Sequence, residues 1–242
     1  MIYLSRLILD PRNQAVRRDL ADCQNLHRTV LSGFPQAASG AGGAREQFGV
    51  LHRVDTMRTG VELYVQSNVE PNWDHLPSGY LLTVGGANPV CKRVDELYAG
   101  LSSTTRLRFR LSANPTKRLH AATGNDGWGA GKRVDLRREE DQLAWLEAKA
   151  HAGGFSLSHV QANPHVANVR QTPGGRVTGN RSRPGSSSTE RAPLTFGSVL
   201  FEGELHVTDP LLFLSTLERG IGSGKAYGFG LLSIAPATRD AP

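Results

Sequence analysis

The sequence predicts an α+β protein made of two small halves, each mixing helices with antiparallel strands. Three observations carry that prediction. The chain has 242 residues, enough for two units of about 100 residues, the usual domain scale. Apolar alternation and turn residues mark a β-α-β-β order near the start, with a further apolar stretch after it. From residue 105 onward the pattern is again mixed strand and helix.

Residues 2–9 are rich in Ile, Leu and Tyr and stop at Asp10-Pro11, a strand closed by a turn. Asp22 is placed to cap a helix running to about Phe34, with Cys23, Leu26, Val30 and Phe34 along one side at three-to-four spacing. A Gly/Ala-rich loop, residues 33–44, leads to FGVLHRVD and GVELYVQS, two strands joined around Arg58, Thr59 and Gly60. After an irregular Pro71–Pro77 connection with room for a short helix, GYLLTVGG (79–86) is expected as the strand that completes a β-α-β-β-α-β, ferredoxin-like unit. The expected division is thus 1–90, a linker at 91–104, and 105–242.

In the second half, Leu107, Phe109 and Leu111 alternate with Arg106, Arg108 and Arg110, so a strand would set apolar groups on one face and arginines on the other. EEDQLAWLEAKAHAGG is expected to be an amphipathic helix, acidic at its positive end and stopped by Gly153-Gly154. Residues 171–193 are rich in Gly, Ser, Pro and Arg and poor in apolar groups, which predicts a mobile basic loop. FGSVLFEGELHV is then a long strand or hairpin, DPLLFLSTLERG a helix with Pro210 in its first turn, and YGFGLLSI the last strand.

There are 28 Lys and Arg against 22 Asp and Glu, a net charge of +6, which favours a polyanionic partner such as nucleic acid. Two cysteines, Cys23 and Cys91, make neither a CxxC pair nor a disulfide framework, so a reducing, cytoplasmic setting is expected. The apolar N-terminal stretch is too short and too charged for a membrane span. Cys23 and His27 stand four apart, but no further ligands follow at zinc spacing, and no metal or cofactor is expected.

GIGSGKAYGFG, residues 220–230, is the densest glycine cluster, where backbone amides could approach phosphates. It departs from the P-loop pattern, with Arg219 and Ala226 where glycine and Ser/Thr belong, and it lies between a helix and a strand rather than after a strand. A nucleotide-dependent enzyme is therefore disfavoured. The bland alternative is a tight connection, and Lys225 within it favours phosphate contact. Arg106, Arg108, Arg110, Lys117 and Arg118, with Arg170 and Arg176, could line an RNA groove. His27 sits beside the apolar stripe of the first helix. A packed core histidine is the ordinary reading there, and proton transfer near neutrality is the functional one.

MIYLSRLILD, VRRDLADCQNLHRTVLSGF, RLRFRLSANPTKR and LERGIGSGKAYGFGLLSIAP, taken together, resemble the CRISPR-associated endoribonuclease CasE family of the type I-E Cascade complex. The resemblance implies tandem ferredoxin-like, RRM-type domains and metal-independent cleavage of the CRISPR repeat hairpin in precursor RNA. It also implies retention of the mature guide RNA among other Cascade subunits. It places the active-site histidine at His27 and the glycine-rich loop at Gly220–Gly230, including Gly222, Gly224 and Lys225. Some members carry a tyrosine three residues before the histidine, where this sequence has Gln24. Arg28 and Lys225 are expected to help with the phosphate charge. The rival reading is a noncatalytic RNA-binding subunit in which His27 is core.

Overall fold

The computed structural model describes residues 1–37, 43–57, 60–119, 133–182 and 191–237. Arg58 and Thr59, expected at a turn, and the 124–131 segment lie outside them. No helix among the described residues is long and apolar enough to cross a membrane.

The first half opens with β1 (Tyr3–Leu9), then α1 (Gln14–Ala21), α2 (Cys23–Leu31) and a short α3 (Ala44–Gln47). Two strands follow, β2 (Leu51–Met57) and β3 (Gly60–Ser67), and then β4 (Val90–Arg93). The four strands form an antiparallel sheet in the order β2-β3-β1-β4, the ferredoxin-like arrangement. α1, which sequence periodicity did not single out, is started by the Asn13 side chain accepting from Ala15 and Val16 amides. One face of the sheet packs Leu7, Leu9, Leu63 and Val65 against Val16, Leu26, Val30 and Phe34.

Three expectations are corrected here. The fourth strand is Val90–Arg93, not residues 79–86, of which Leu81 makes a single bridge to Leu9. Tyr80 instead turns inward and donates its hydroxyl to the buried Asp19 carboxylate at 2.9 Å. The Asn88 side chain takes the place of a strand beside Ile8, accepting from its amide at 2.9 Å and donating to its carbonyl at 2.8 Å. Gly85-Gly86 and Asn88-Pro89 break the extended run, and pairing resumes only beyond them. Residues 91–93, expected as the start of a linker, therefore belong to the first sheet. The second helix expected at 71–77 is also replaced, since α4 (Asp95–Ala99) follows β4.

The second half runs β5 (Arg106–Ala113), β6 (Thr116–Arg118), β7 (Arg133–Asp135), α5 (Glu139–Ala152) and β8 (Phe155–Leu157). After these come β9 (His159–Val160), β10 (Asn163–Ala167), β11 (Val169–Ser182), β12 (Arg191–Val207), α6 (Pro210–Arg219) and β13 (Leu232–Pro236). Its main sheet has the order β11-β12-β5-β13, with β8 also on β12, and repeats the topology of the first. The alternation in β5 is as expected: Leu107, Phe109 and Leu111 are buried while Arg106 and Arg108 face solvent. α5 covers the sheet through Leu146 and Ala150, and α6 through Phe213 and Leu217.

The expected mobile loop at 171–193 is corrected as well. Most of it is the outer part of a long hairpin, β11 pairing with β12 from Val169↔Gly203 to Ser182↔Arg191; residues 183–190 lie outside the description. Backbone pairing needs no apolar side chains, and composition was the wrong guide. The register shifts at Gly174-Gly175, where Gly175 has φ +76° and a Cβ on Gly174 would meet the Ser198 hydroxyl at 2.5 Å.

The halves are joined by polar contacts. Buried Arg53 on β2 grips Asp55 with two hydrogen bonds, at 2.9 and 3.0 Å, and reaches Ser233 on β13 at 2.6 Å. Gln66 on β3 donates to the Leu217 carbonyl in the last turn of α6 at 2.7 Å, satisfying an acceptor that the helix itself leaves open.

Candidate active site

The site forms where α2 meets the glycine-rich loop. Asp22 starts α2 by accepting from the Gln24 amide at 2.8 Å, and its carboxylate also accepts from the Asn180 amide and side chain on β11, at 3.3 and 3.4 Å. Burial pulls the Asp22 pKa up, but these hydrogen bonds outweigh it and hold the group below the usual carboxylate value. The hairpin arm is thereby pinned across the start of the helix. Gly179 permits this closeness, because a Cβ there would stand 2.6 Å from the Asp22 carboxylate and 2.7 Å from the Cys23 sulfur.

The loop itself can be drawn only with glycine. Gly220, Gly222, Gly224, Gly228 and Gly230 all have φ between +70° and +89°, the left-handed region that side chains avoid. The Ile221 amide donates to Gly230 O at 2.9 Å and the Gly230 amide to Ser112 O at 2.8 Å, closing the loop against β5. Within it a single 3-10 turn, Lys225–Tyr227, projects toward α2.

His27, half-buried on α2, meets that turn. Its ring lies near the Ala226 carbonyl and edge-on to Tyr227, with centroids 5.9 Å apart and planes at 61°. Burial, helped by the Arg45 and Arg28 charges, lowers the His27 pKa against the opposing pull of the carbonyl. A lowered pKa favours the uncharged imidazole, the form able to accept a proton.

The cations around it come from both halves. Arg28 follows His27 on α2 and is exposed; Arg45 comes from α3. Lys225 is half-buried, and burial, together with Arg45, Lys149 and Arg219, lowers its pKa. Beside Lys225 opens a cleft of about 490 Å³ lined by Arg118, Arg133, Lys149, Trp145, Gly222 and Ser223, among others, with no carboxylate. Arg118 and exposed Lys117 sit on β6, and Gly222 rests on Trp145, where a Cβ would be 2.9 Å from the indole.

The structure thus brings His27, Arg28, Arg118, Gly222, Gly224 and Lys225 to one region and sets other expected residues elsewhere. Arg106, Arg108 and Arg110 face carboxylates and a histidine across the β5–β12 ladder, at His206, Glu204 and Glu202. Arg110 lies 3.5 Å from both Asp55 and Glu202. With exposed Arg170, Arg108 and Arg110 border a separate groove not lined by His27 or the glycine loop. Arg176, exposed on β11, borders a cleft with Tyr227 and Phe229. Sequence reading missed Arg45, Lys149 and Tyr227; only Lys149, at a helix end, carried even a weak local signal, because their proximity arises from the chain fold. Among the described residues no group of three or more His, Cys, Asp or Glu side chains is arranged to hold a metal ion.

Two ferredoxin-like sheets set a half-buried histidine against a glycine-rich loop, amid cations from both, an arrangement suited to nucleic acid. Comparison with known proteins makes this specific. Residues 2–236 match the family described as CRISPR associated protein, and the chain belongs to that family. It is 38% identical, over 97% of its length and all of the relative, to the CRISPR-associated endoribonuclease Cse3 of Thermus thermophilus. The Cascade subunit CasE of Escherichia coli is 32% identical over 54% of this chain and 58% of its own. A solved structure of the endoribonuclease Cse3 bound to a 19-nucleotide RNA superposes with a TM-score of 0.74 at 36% identity, covering 97% of this chain and all of that one.

Proposed function

We propose that the chain is an endoribonuclease that cuts CRISPR repeat hairpins in precursor RNA and stays on the product as a subunit of a Cascade-type complex. The observation that carries this reading is the placement of His27, half-buried on α2 against the glycine-rich turn that bears Lys225 and Tyr227, with the Arg28 and Arg45 charges acting on it. Identity to the Cse3 endoribonuclease across its full length supports it. The RNA ribose 2′-OH forms a bond to the adjacent phosphorus as its proton passes to His27, and the P–O5′ bond breaks. The ends are a 2′,3′-cyclic phosphate and, once the leaving oxygen is protonated, a 5′-hydroxyl. Charge developing on the phosphorane oxygens is met by Lys225 and the neighbouring arginines.

Binding combines this site with the basic surface around it. Lys117, Arg118, Arg176 and the Gly222–Lys225 backbone neutralise and follow phosphates, and the A-form stem is read by shape. The step needs no metal or cofactor. The two free cysteines and the RNA substrate fit a reducing, cytoplasmic setting.

The test is cleavage of a labelled repeat hairpin in EDTA by wild type and His27→Ala, with binding measured in parallel. Cleavage by wild type alone, with equal binding by both, supports the reading. A wild type that binds its repeat without ever cutting it overturns catalysis in favour of a noncatalytic RNA-binding subunit.

A further inference from the structure

We infer that Tyr227 is a positioning residue that sets the direction and tilt of the His27 imidazole, from the far half of the chain. It touches α2 twice. Its ring meets His27 edge to face, and its hydroxyl donates to the Gln24 side chain at 3.3 Å. Gln24 and His27 are three residues apart and so share a helical face. One tyrosine spans both.

Behind it the ring is backed by an aromatic column. Tyr227 stacks on Phe196 of β12 at 5.1 Å and 29°, and Phe196 in turn meets buried Phe229 at 5.9 Å and 62°. The backbone is equally fixed: Gly224 and Gly228 bracket the turn with left-handed φ, and the Tyr227 amide donates to Gly224 O at 2.8 Å. The preceding residue, Ala226, turns its carbonyl toward His27 closely enough to oppose the fall of its pKa. Residues 226 and 227 thus meet the imidazole with a carbonyl and with an aromatic ring. A base held in line with the 2′-OH reacts far faster than one free to swing, and small misplacements cost about a hundredfold. Tyr227 also shields His27 from water, and burial is the largest cause of its lowered pKa.

This rests on the endoribonuclease reading, so the experiment includes a measurement that needs no cleavage. The full chain is labelled with ¹⁵N-histidine, and the His27 tautomer and titration are followed by NMR in wild type, Tyr227→Phe, Tyr227→Leu and Tyr227→Ala. Single-turnover cleavage and RNA affinity are measured beside them. Alanine and leucine are expected to mix the two tautomers, raise the His27 pKa toward its ordinary 6.5, and slow cleavage by about 30- to 100-fold. RNA affinity should stay within about threefold. Phenylalanine, which keeps the ring and loses only the Gln24 bond, should restore most of the rate. An unchanged tautomer and titration in both the leucine and alanine variants overturns the inference, as does a loss of affinity as large as the loss of rate. If the NMR changes appear but wild type does not cut, the positioning stands and the endoribonuclease reading falls.

Discussion

Arg53 donates to the Ser233 hydroxyl at 2.6 Å across 180 residues of sequence, tying the second strand of the first sheet to the last strand of the second. The same guanidinium neutralises buried Asp55, and Arg110 adds a third charge from β5. Arg53→Met would remove both the tie and the partner of a buried carboxylate. The expected cost is about 3–5 kcal/mol, measured as a lower urea midpoint. Arg53→Lys should recover only part, since an ammonium cannot occupy both carboxylate oxygens and Ser233 in the same geometry. A midpoint unchanged in Arg53→Met would show that the network contributes no net stability.

His52 gives the fold an acid sensitivity. It is fully buried, its Nε2 has no hydrogen-bond partner among the described residues, and burial, with His27 nearby, pushes its pKa down to about 3 from 6.5. Between these values the unfolded chain binds a proton that the folded chain refuses. Stability is therefore complete above pH 6.5 and falls as pH drops toward 3, by about 1.4 kcal/mol per pH unit while one proton is at stake. Denaturant titrations at pH 7 and pH 5 should show the loss, and His52→Leu should flatten it. An equal slope in the variant would assign the sensitivity to other groups.

Gly179→Val should lift the hairpin arm. The new side chain would press on Asp22 and Cys23, at an overpacking cost of about 1–3 kcal/mol. The arm carries Phe196, which backs Tyr227, so cleavage should slow with little change in overall helix content. Faster hydrogen exchange at the Asn180 amide would report the lifting directly. Exchange and cleavage both at wild-type rates would show that the arm is held by its β12 pairing alone.

Lys225 and Arg110 should differ sharply as RNA contacts. Lys225 makes no ion pair among the described residues and the charges acting on it are those of Arg45, Lys149 and Arg219, whereas Arg110 is shared between Asp55 and Glu202. Lys225→Ala should reduce the slope of log affinity against log salt by about 0.7–0.9, the value of one phosphate contact. Arg110→Ala should leave that slope unchanged. The reverse pattern would place the RNA in the groove beside β5 instead.

Local patterns were legible. Asp22 announced the helix that it caps, and the arginine–apolar alternation of residues 106–111 announced both the strand and its buried face. What was not legible depended on partners distant in sequence. Residues 79–86 read as a strand because they are apolar, yet they meet β1 only through Leu81 and Leu82, and the asparagine at 88 bonds Ile8 as well. The 171–193 segment read as loop because it is polar, yet its backbone pairs with β12. His27 stood out by type and setting, whereas Tyr227 looked like one more aromatic beside glycines. Its meaning appears only when the loop is folded against α2.

The 203 residues between Gln24 and Tyr227 also impose an order in time. A ribosome adding about 5–20 residues per second exposes the helix bearing His27 roughly 10–40 seconds before the turn that completes its surroundings. Throughout that interval the nascent chain lacks the Lys225 cation and the Tyr227 ring. On the proposed role of His27, a translation product stalled before residue 225 is therefore inert.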